Sequence, residues 1–143
     1  MLFSYLEERF GIKEQLFYDY LLLKKKKTWF LVNDSRWIDS AAKLKILKVG
    51  IKAFEEVGAF IKPTTRFIQF FGNKATKSRF DISKTELKKL VNGETITADM
   101  DLSNGYVILL VENRVLGLGL LINGEIRSQL PMKEIRASMF NQG

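Results

Sequence analysis

Apolar positions along the chain fall into short runs whose spacing changes from segment to segment, and each spacing predicts an element. Phe3, Leu6 and Phe10 share one face of a short helix that Gly11 stops. Ile12, Leu16, Tyr20 and Leu23 then continue with helical spacing as far as the abrupt run Lys24 to Lys27. Thr28 to Val32 is bulky and β-branched and predicts a buried strand, closed by the turn chemistry of Asn33, Asp34 and Ser35. From Lys45 to Ala53 the period is two: Leu47, Val49, Ile51 and Ala53 point one way, while Lys48, Gly50 and Lys52 form a wet, basic face. Val57 to Ile61 predicts a further strand. Pro63 then pre-sets a first helical turn, Phe67, Ile68, Phe70 and Phe71 form its apolar stripe, and Gly72 closes it.

The stretch Asn73 to Arg79 lacks long apolar residues and marks a module boundary, giving an N-terminal module over 1–75 and a second over 76–143. Ser83 with Glu86 is a capping box, Leu87, Leu90 and Val91 give the following helix a buried face, and Asn92 and Gly93 end it. Asn104 and Gly105 start a wholly apolar strand, Glu112 and Asn113 turn it back, and Asn123-Gly124 is the strongest hairpin signal in the chain. Glu125 to Leu130 is therefore the third strand of a meander that Pro131 ends. In its middle strand Leu116, Leu118 and Leu120 alternate with Gly117 and Gly119. Glycine inside a strand gives up packing, so one face there must admit a close neighbour: a packed helix, a bent sheet or a ligand backbone. The order of elements predicts an α+β protein, an α/β module followed by a capped helix and a β-meander.

Composition narrows the chemistry. The 143 residues include no cysteine and no histidine, which removes zinc sites built on either, thiol nucleophiles, Ser-His-Asp and Cys-His relays and disulfides. Neither a metal nor a cofactor is expected. Glu55 with Glu56, and Asp99 with Asp101, are spaced like ordinary loop acids, and no P-loop is present. The N-terminus carries two glutamates and no basic lead, unlike a secretory signal. The greasy run around Leu21 to Leu23 is far short of the roughly 20 residues of a membrane span. A cytoplasmic protein without a membrane partner is the expectation.

The net charge of +7 favours an anionic partner. Several lysine groups compete for that role. Lys24 to Lys27 can grip phosphates, or can be a helix end that favours cations and guards an aggregation-prone strand. Lys48 and Lys52 would stand about 13 Å apart on an extended strand, near twice the phosphate repeat of a nucleic acid, as an ordinary solvent face also would. Lys74, Lys77 and Arg79 follow a helix end whose dipole explains only one of them. Lys84 and Lys88 lie one turn apart with Lys89 beside them. Most aromatics, Trp29 and Phe30 among them, have core spacing; Trp37, between Arg36 and Asp39, is a core lid or a stacking surface.

The stretch from Gly58 to Ser83, with Lys62-Pro63-Thr64-Thr65 and Phe71-Gly72, leads through the capped helix to Gly105 and its strand. Leu116-Gly117-Leu118-Gly119 and Ser128-Gln129-Leu130-Pro131 follow. From about Glu8 to about Pro131 the chain resembles a pre-PUA module joined to a PUA domain, the pseudo-barrel named for pseudouridine synthases and archaeosine transglycosylases. It is similar to the RNA-binding tails of Sun-family ribosomal RNA cytosine methyltransferases and to small stand-alone ribosome-biogenesis factors. The resemblance implies non-catalytic binding of structured rRNA or tRNA, at the surface where the first PUA helix meets the glycine loop and neighbouring strands. Carried over, that surface comprises Lys84, Lys88, Gly105, Arg127, Ser128 and Lys133. Without cysteine the chain cannot supply the thiolate of cytosine-5 methylation, so the resemblance is to the binder rather than the methylase. An RNA methyltransferase or ribosome-assembly protein is the further partner implied, and an adaptor that docks such a protein is the alternative reading.

Overall fold

The computed structural model describes residues 2–33, 50–99 and 101–131. Trp37, Lys48, Lys133, and positions 45–49 of the strand expected over Lys45 to Ala53 lie outside the described residues. The chain runs through helix α1 (Leu2–Phe10), a 3-10 turn (Glu14–Phe17), strands β1 (Tyr20–Lys25), β2 (Thr28–Asn33), β3 (Ile51–Val57) and β4 (Phe60–Pro63), and helix α2 (Thr65–Phe71). After a second 3-10 turn (Gly72–Lys74) come β5 (Arg79–Asp81), helix α3 (Lys84–Val91), β6 (Ile96–Thr97), β7 (Gly105–Val111), β8 (Arg114–Ile122) and β9 (Glu125–Ser128). The first four strands form an antiparallel sheet in chain order. The other five form a mixed sheet in the order β5-β7-β8-β9-β6, in which only β5 and β7 run parallel. The α+β expectation holds.

Three elements of the first half differ from the sequence reading. The helix expected to continue from Ile12 to Leu23 is a 3-10 turn followed by β1, which pairs with β2 from Tyr20↔Asn33 to Lys25↔Thr28. Tyr20 and Leu22 pack against the core while Leu21 is exposed, so a two-residue period was hidden inside a run that also fits helical spacing. The lysine run is consequently a hairpin tip and not a helix C-terminus, and Lys26 takes the positive φ of 57° there. The expected single strand Val57 to Ile61 is split by the β3–β4 hairpin: Val57 ends β3, Gly58 with φ 61° and Ala59 make the turn, and Phe60, which faces Val57, and Ile61 open β4. Pro63 ends β4 rather than starting α2; Thr64 is the cap, and its hydroxyl accepts from the Phe67 amide at 3.1 Å. Trp29 and Phe30 are half-buried, not core, and Phe70 points outward from α2.

Two apolar clusters meet across β7. On one side Leu6, Phe10, Phe17, Phe54, Phe67 and Phe71 pack with Ile108, Leu110 and Leu118. On the other, Leu87, Leu90, Val91 and Ile96 pack with Val107, Leu109, Leu121 and Ile126. Successive strand residues point to opposite faces, so β7 is buried on both, and a strand buried on both faces reads as a continuous apolar run. Arg9 and Ser78 tie the first helix to the second sheet: the Arg9 guanidinium donates to the Tyr106 carbonyl at 2.7 Å, and the Ser78 hydroxyl donates to the Arg9 carbonyl.

The glycine-bearing strand is packed rather than open. A Cβ on Gly117 would stand 2.7 Å from Leu130 Cδ2, and one on Gly119 would stand 2.6 Å from Ile126 Cγ2. Its pairing with β7 passes from Leu109↔Gly117 to Leu110↔Val115, leaving Leu116 as the extra residue of a bulge. The Leu116 carbonyl is not wasted: it accepts from Gln69 Nε2 of α2 at 2.8 Å. Both tight turns of the meander have positive φ at their two central residues, Glu112 and Asn113 in one, Asn123 and Gly124 in the other.

The capping box of α3 is complete, with the Glu86 amide donating to Ser83 Oγ at 3.1 Å and the Ser83 amide donating to Glu86 Oε1 at 3.0 Å. Ser83→Ala is expected to lower stability by about 1 kcal/mol in a urea titration. An unchanged midpoint would show that packing of Leu87, Leu90 and Val91 alone holds the helix.

Candidate nucleic-acid interface

The basic residues singled out in the sequence fall on more than one face. Lys84, Lys88 and Lys89 are exposed along α3, and Lys84 Nζ stands 3.8 Å from Glu112 Oε1, an exposed pair that leaves the ammonium largely to solvent. The buried side of α3 packs with Ile126 of β9. Arg127, the next residue, therefore projects from the opposite face of the sheet. There it completes a cross-strand row, Tyr106↔Leu120↔Arg127. Ser128 Oγ accepts from the Leu130 amide at 3.1 Å, so that hydroxyl shapes the chain end after β9.

Gly105 opens β7 with φ 144°, and a Cβ there would lie 3.1 Å from Arg9 Cζ. Bare backbone at this point lets the Arg9 guanidinium lie flat against the strand. Besides its bond to Tyr106, Arg9 Nη1 donates to the Ser103 carbonyl at 2.9 Å and to Ser103 Oγ at 3.0 Å. Arg9 Nη2 is buried without a partner among the described residues. Burial pulls the guanidinium pKa down, opposed by Tyr5, yet an arginine starts so high that the cation persists at neutral pH. Sequence reasoning missed Arg9, because its partners are 94 and 97 positions away.

Lys62 was missed for the same reason. Its ammonium donates to Gln129 Oε1 at 3.2 Å and lies 5.9 Å from the Tyr106 ring centroid, bridging the β3–β4 hairpin to the end of β9. Burial lowers its pKa, and Glu55 works the other way. Tyr106 itself is pushed up by burial, so its phenol stays protonated at neutral pH.

A groove of about 830 Å³ opens beside these groups. Tyr106, Leu120 and Ile122 line one side from the five-stranded sheet, Phe60 and Ile61 come from the hairpin, and Arg9 comes from α1. Lys77 lines it too; its amide is held by the Phe10 carbonyl at 3.1 Å while its side chain is exposed. A smaller depression of about 610 Å³ gathers Lys52, Lys62 and Arg66 with Glu55. Lys74 and Arg79 are exposed but line neither hollow. At the β1–β2 tip, where the Lys27 carbonyl accepts from the Glu56 amide at 2.8 Å, Lys24 is occupied by the Glu56 carboxylate at 2.9 Å and by the Trp29 ring at 4.7 Å. Among the described residues no group of three or more acidic side chains could hold a metal ion, and no helix is long and apolar enough to cross a membrane.

A curled mixed sheet with a capped helix over one face and an Asn-Gly meander is the architecture of a PUA-like domain. Residues 77–136 match the family model described as the methyltransferase RsmF PUA domain. In that segment the chain carries a PUA domain resembling the tail of Sun-family ribosomal RNA methyltransferases. Two ribosomal RNA small subunit methyltransferases F are similar over a longer stretch. The one from Psychromonas ingrahamii is 29% identical over 99 residues, 65% of this chain and 20% of its own length. The one from Aeromonas salmonicida is 21% identical over 110 residues, 73% of this chain and 23% of its own length. The chain thus spans about a fifth of the length of these curated relatives.

Proposed function

We propose that this chain is a non-catalytic RNA-binding protein of ribosome biogenesis or RNA modification, acting in the cytoplasm on structured rRNA or tRNA. The observation that carries the reading is the match of residues 77–136 to a PUA domain found in enzymes named for ribosomal RNA methylation. Residues 1–75 would then be its pre-PUA-like companion. The net charge of +7, with exposed lysines on α3 and cations around the groove, supports phosphate contacts as the source of affinity. The absence of cysteine supports binding over methyl transfer.

Binding of ribosomal RNA fragments is expected to weaken steeply with salt, the logarithmic slope being about 0.7 to 0.9 per phosphate contacted. Two charge reversals separate the faces. Lys84→Glu with Lys88→Glu removes cations from α3, and Lys77→Glu with Arg127→Glu removes them from the groove side. The set at the interface should lower both affinity and salt slope. Absent binding at low salt, or affinity untouched by both sets, would refute the reading.

A further inference from the structure

We propose that the groove between α1, the β3–β4 hairpin and the face of β7–β8 receives an unstacked base from a single-stranded or looped part of the bound RNA. The inference rests on the RNA-binding reading above and adds a site, a ligand class and a contact mode to it.

Phe60 is 71% exposed and Ile122 44% exposed. An exposed phenylalanine at a hairpin tip beside a half-buried tyrosine gains nothing for the fold by standing in water. Both side chains line the same hollow, with Leu120 lining it between the sheet residues. A flat heteroaromatic ring fits such a lining, because stacking on an aromatic face is favourable for every base. Duplex RNA cannot use it; a base within a helix is already stacked, whereas loop bases can be splayed out.

The charges near the groove fit a nucleotide better than an apolar peptide. Arg9 and Lys77 line it, and Arg127 ends the cross-strand row that begins at Tyr106. Glu8 also lines it and Glu125 faces Ile122 across β8–β9, leaving three cations to two carboxylates. Lys77 and Arg127, both exposed, can hold the phosphates that flank the base, while Arg9, its Nε and Nη1 bonded and its Nη2 buried, adds positive charge without a free donor. Arg9 is already fixed by its bonds to Tyr106 and Ser103, so that part of the lining needs no ordering on binding.

The test compares a stem-loop RNA, the matched blunt duplex and a single-stranded oligonucleotide carrying 2-aminopurine, all at low salt. Phe60→Ala is expected to weaken stem-loop binding about tenfold, the loss of one base stack. Duplex affinity should change less than twofold. Phe60→Trp should restore the stem-loop affinity, and 2-aminopurine emission should be quenched by the native protein and by Phe60→Trp but not by Phe60→Ala. Stem-loop affinity unchanged in Phe60→Ala would overturn the base site while leaving RNA binding standing. Equal losses on stem-loop and duplex would also overturn it. If the native protein binds none of the three RNAs, the RNA-binding reading falls and the base site falls with it.

Discussion

Phe67→Ala is expected to remove about 3 to 5 kcal/mol of stability, enough to leave much of the population unfolded at physiological temperature. Phe67 is fully buried on α2, and its ring lies 4.9 Å from that of Phe71, 5.2 Å from Phe54 and 5.8 Å from Phe17. Those three neighbours come from α2 itself, a strand and a 3-10 turn. Truncation therefore leaves a cavity that no single element can move to fill. Phe70, three positions on, serves as the control: it is 62% exposed and touches Phe71 at 5.1 Å. Phe70→Ala should cost well under 1 kcal/mol. Urea titrations of the two variants would settle the contrast, and equal losses would mean that the aromatic cluster is not the keystone of the first core.

Gly119→Ala should destabilise the protein by about 1 to 3 kcal/mol even though it adds one methyl group. The new Cβ would meet Ile126 Cγ2 at 2.6 Å and Leu109 Cδ1 at 3.2 Å. Ile126 is β-branched and fully buried, so its methyl cannot swing aside without leaving a preferred rotamer. At Gly117 the nearest obstacle is Leu130 Cδ2, the far end of a longer and freer side chain, but Thr65 Cγ2 at 3.2 Å and a backbone φ of 158° stand against a side chain there as well, so Gly119 is the cleaner test of the clash. A double-mutant cycle checks the mechanism. Adding Ile126→Ala should make the combined loss smaller than the sum of the two single losses, whereas simple additivity would rule out the clash.

Local signals written in adjacent residues were legible: the capping box at Ser83 and Glu86, the stop at Gly11, and the meander with its Asn123-Gly124 turn. Elements set by distant partners were not. Tyr20 to Leu23 fits helical spacing in isolation and becomes a strand because β2 offers its backbone, through a turn that has Lys26 where Asn or Gly would have announced it. β5 and β6 are too short to show a period, and the parallel pairing of β5 with β7 has no local signature. The same division runs through the candidate interface. Charged residues could be named from composition and resemblance, but the face on which each stands depends on sheet register, which separates Arg127 from the α3 lysines. Arg9 carries no motif, and Lys62 entered only as part of the Lys62-Pro63-Thr64-Thr65 segment without a role of its own; only tertiary contact brings them to Tyr106.

Strand β7 belongs to the segment that matches the PUA model, yet half of its side chains are covered by residues that precede that segment. The stretch that can be traced between proteins and the stretch that can keep itself dry are therefore different lengths of chain. Ile108, Leu110 and Leu118 would meet water if residues 77–136 were transplanted alone, so a chain that borrows this sheet must also bring a cover for the face that α3 leaves bare. Here Leu6, Phe10 and the α2 phenylalanines supply it, and by doing so they set one bank of the groove against the other.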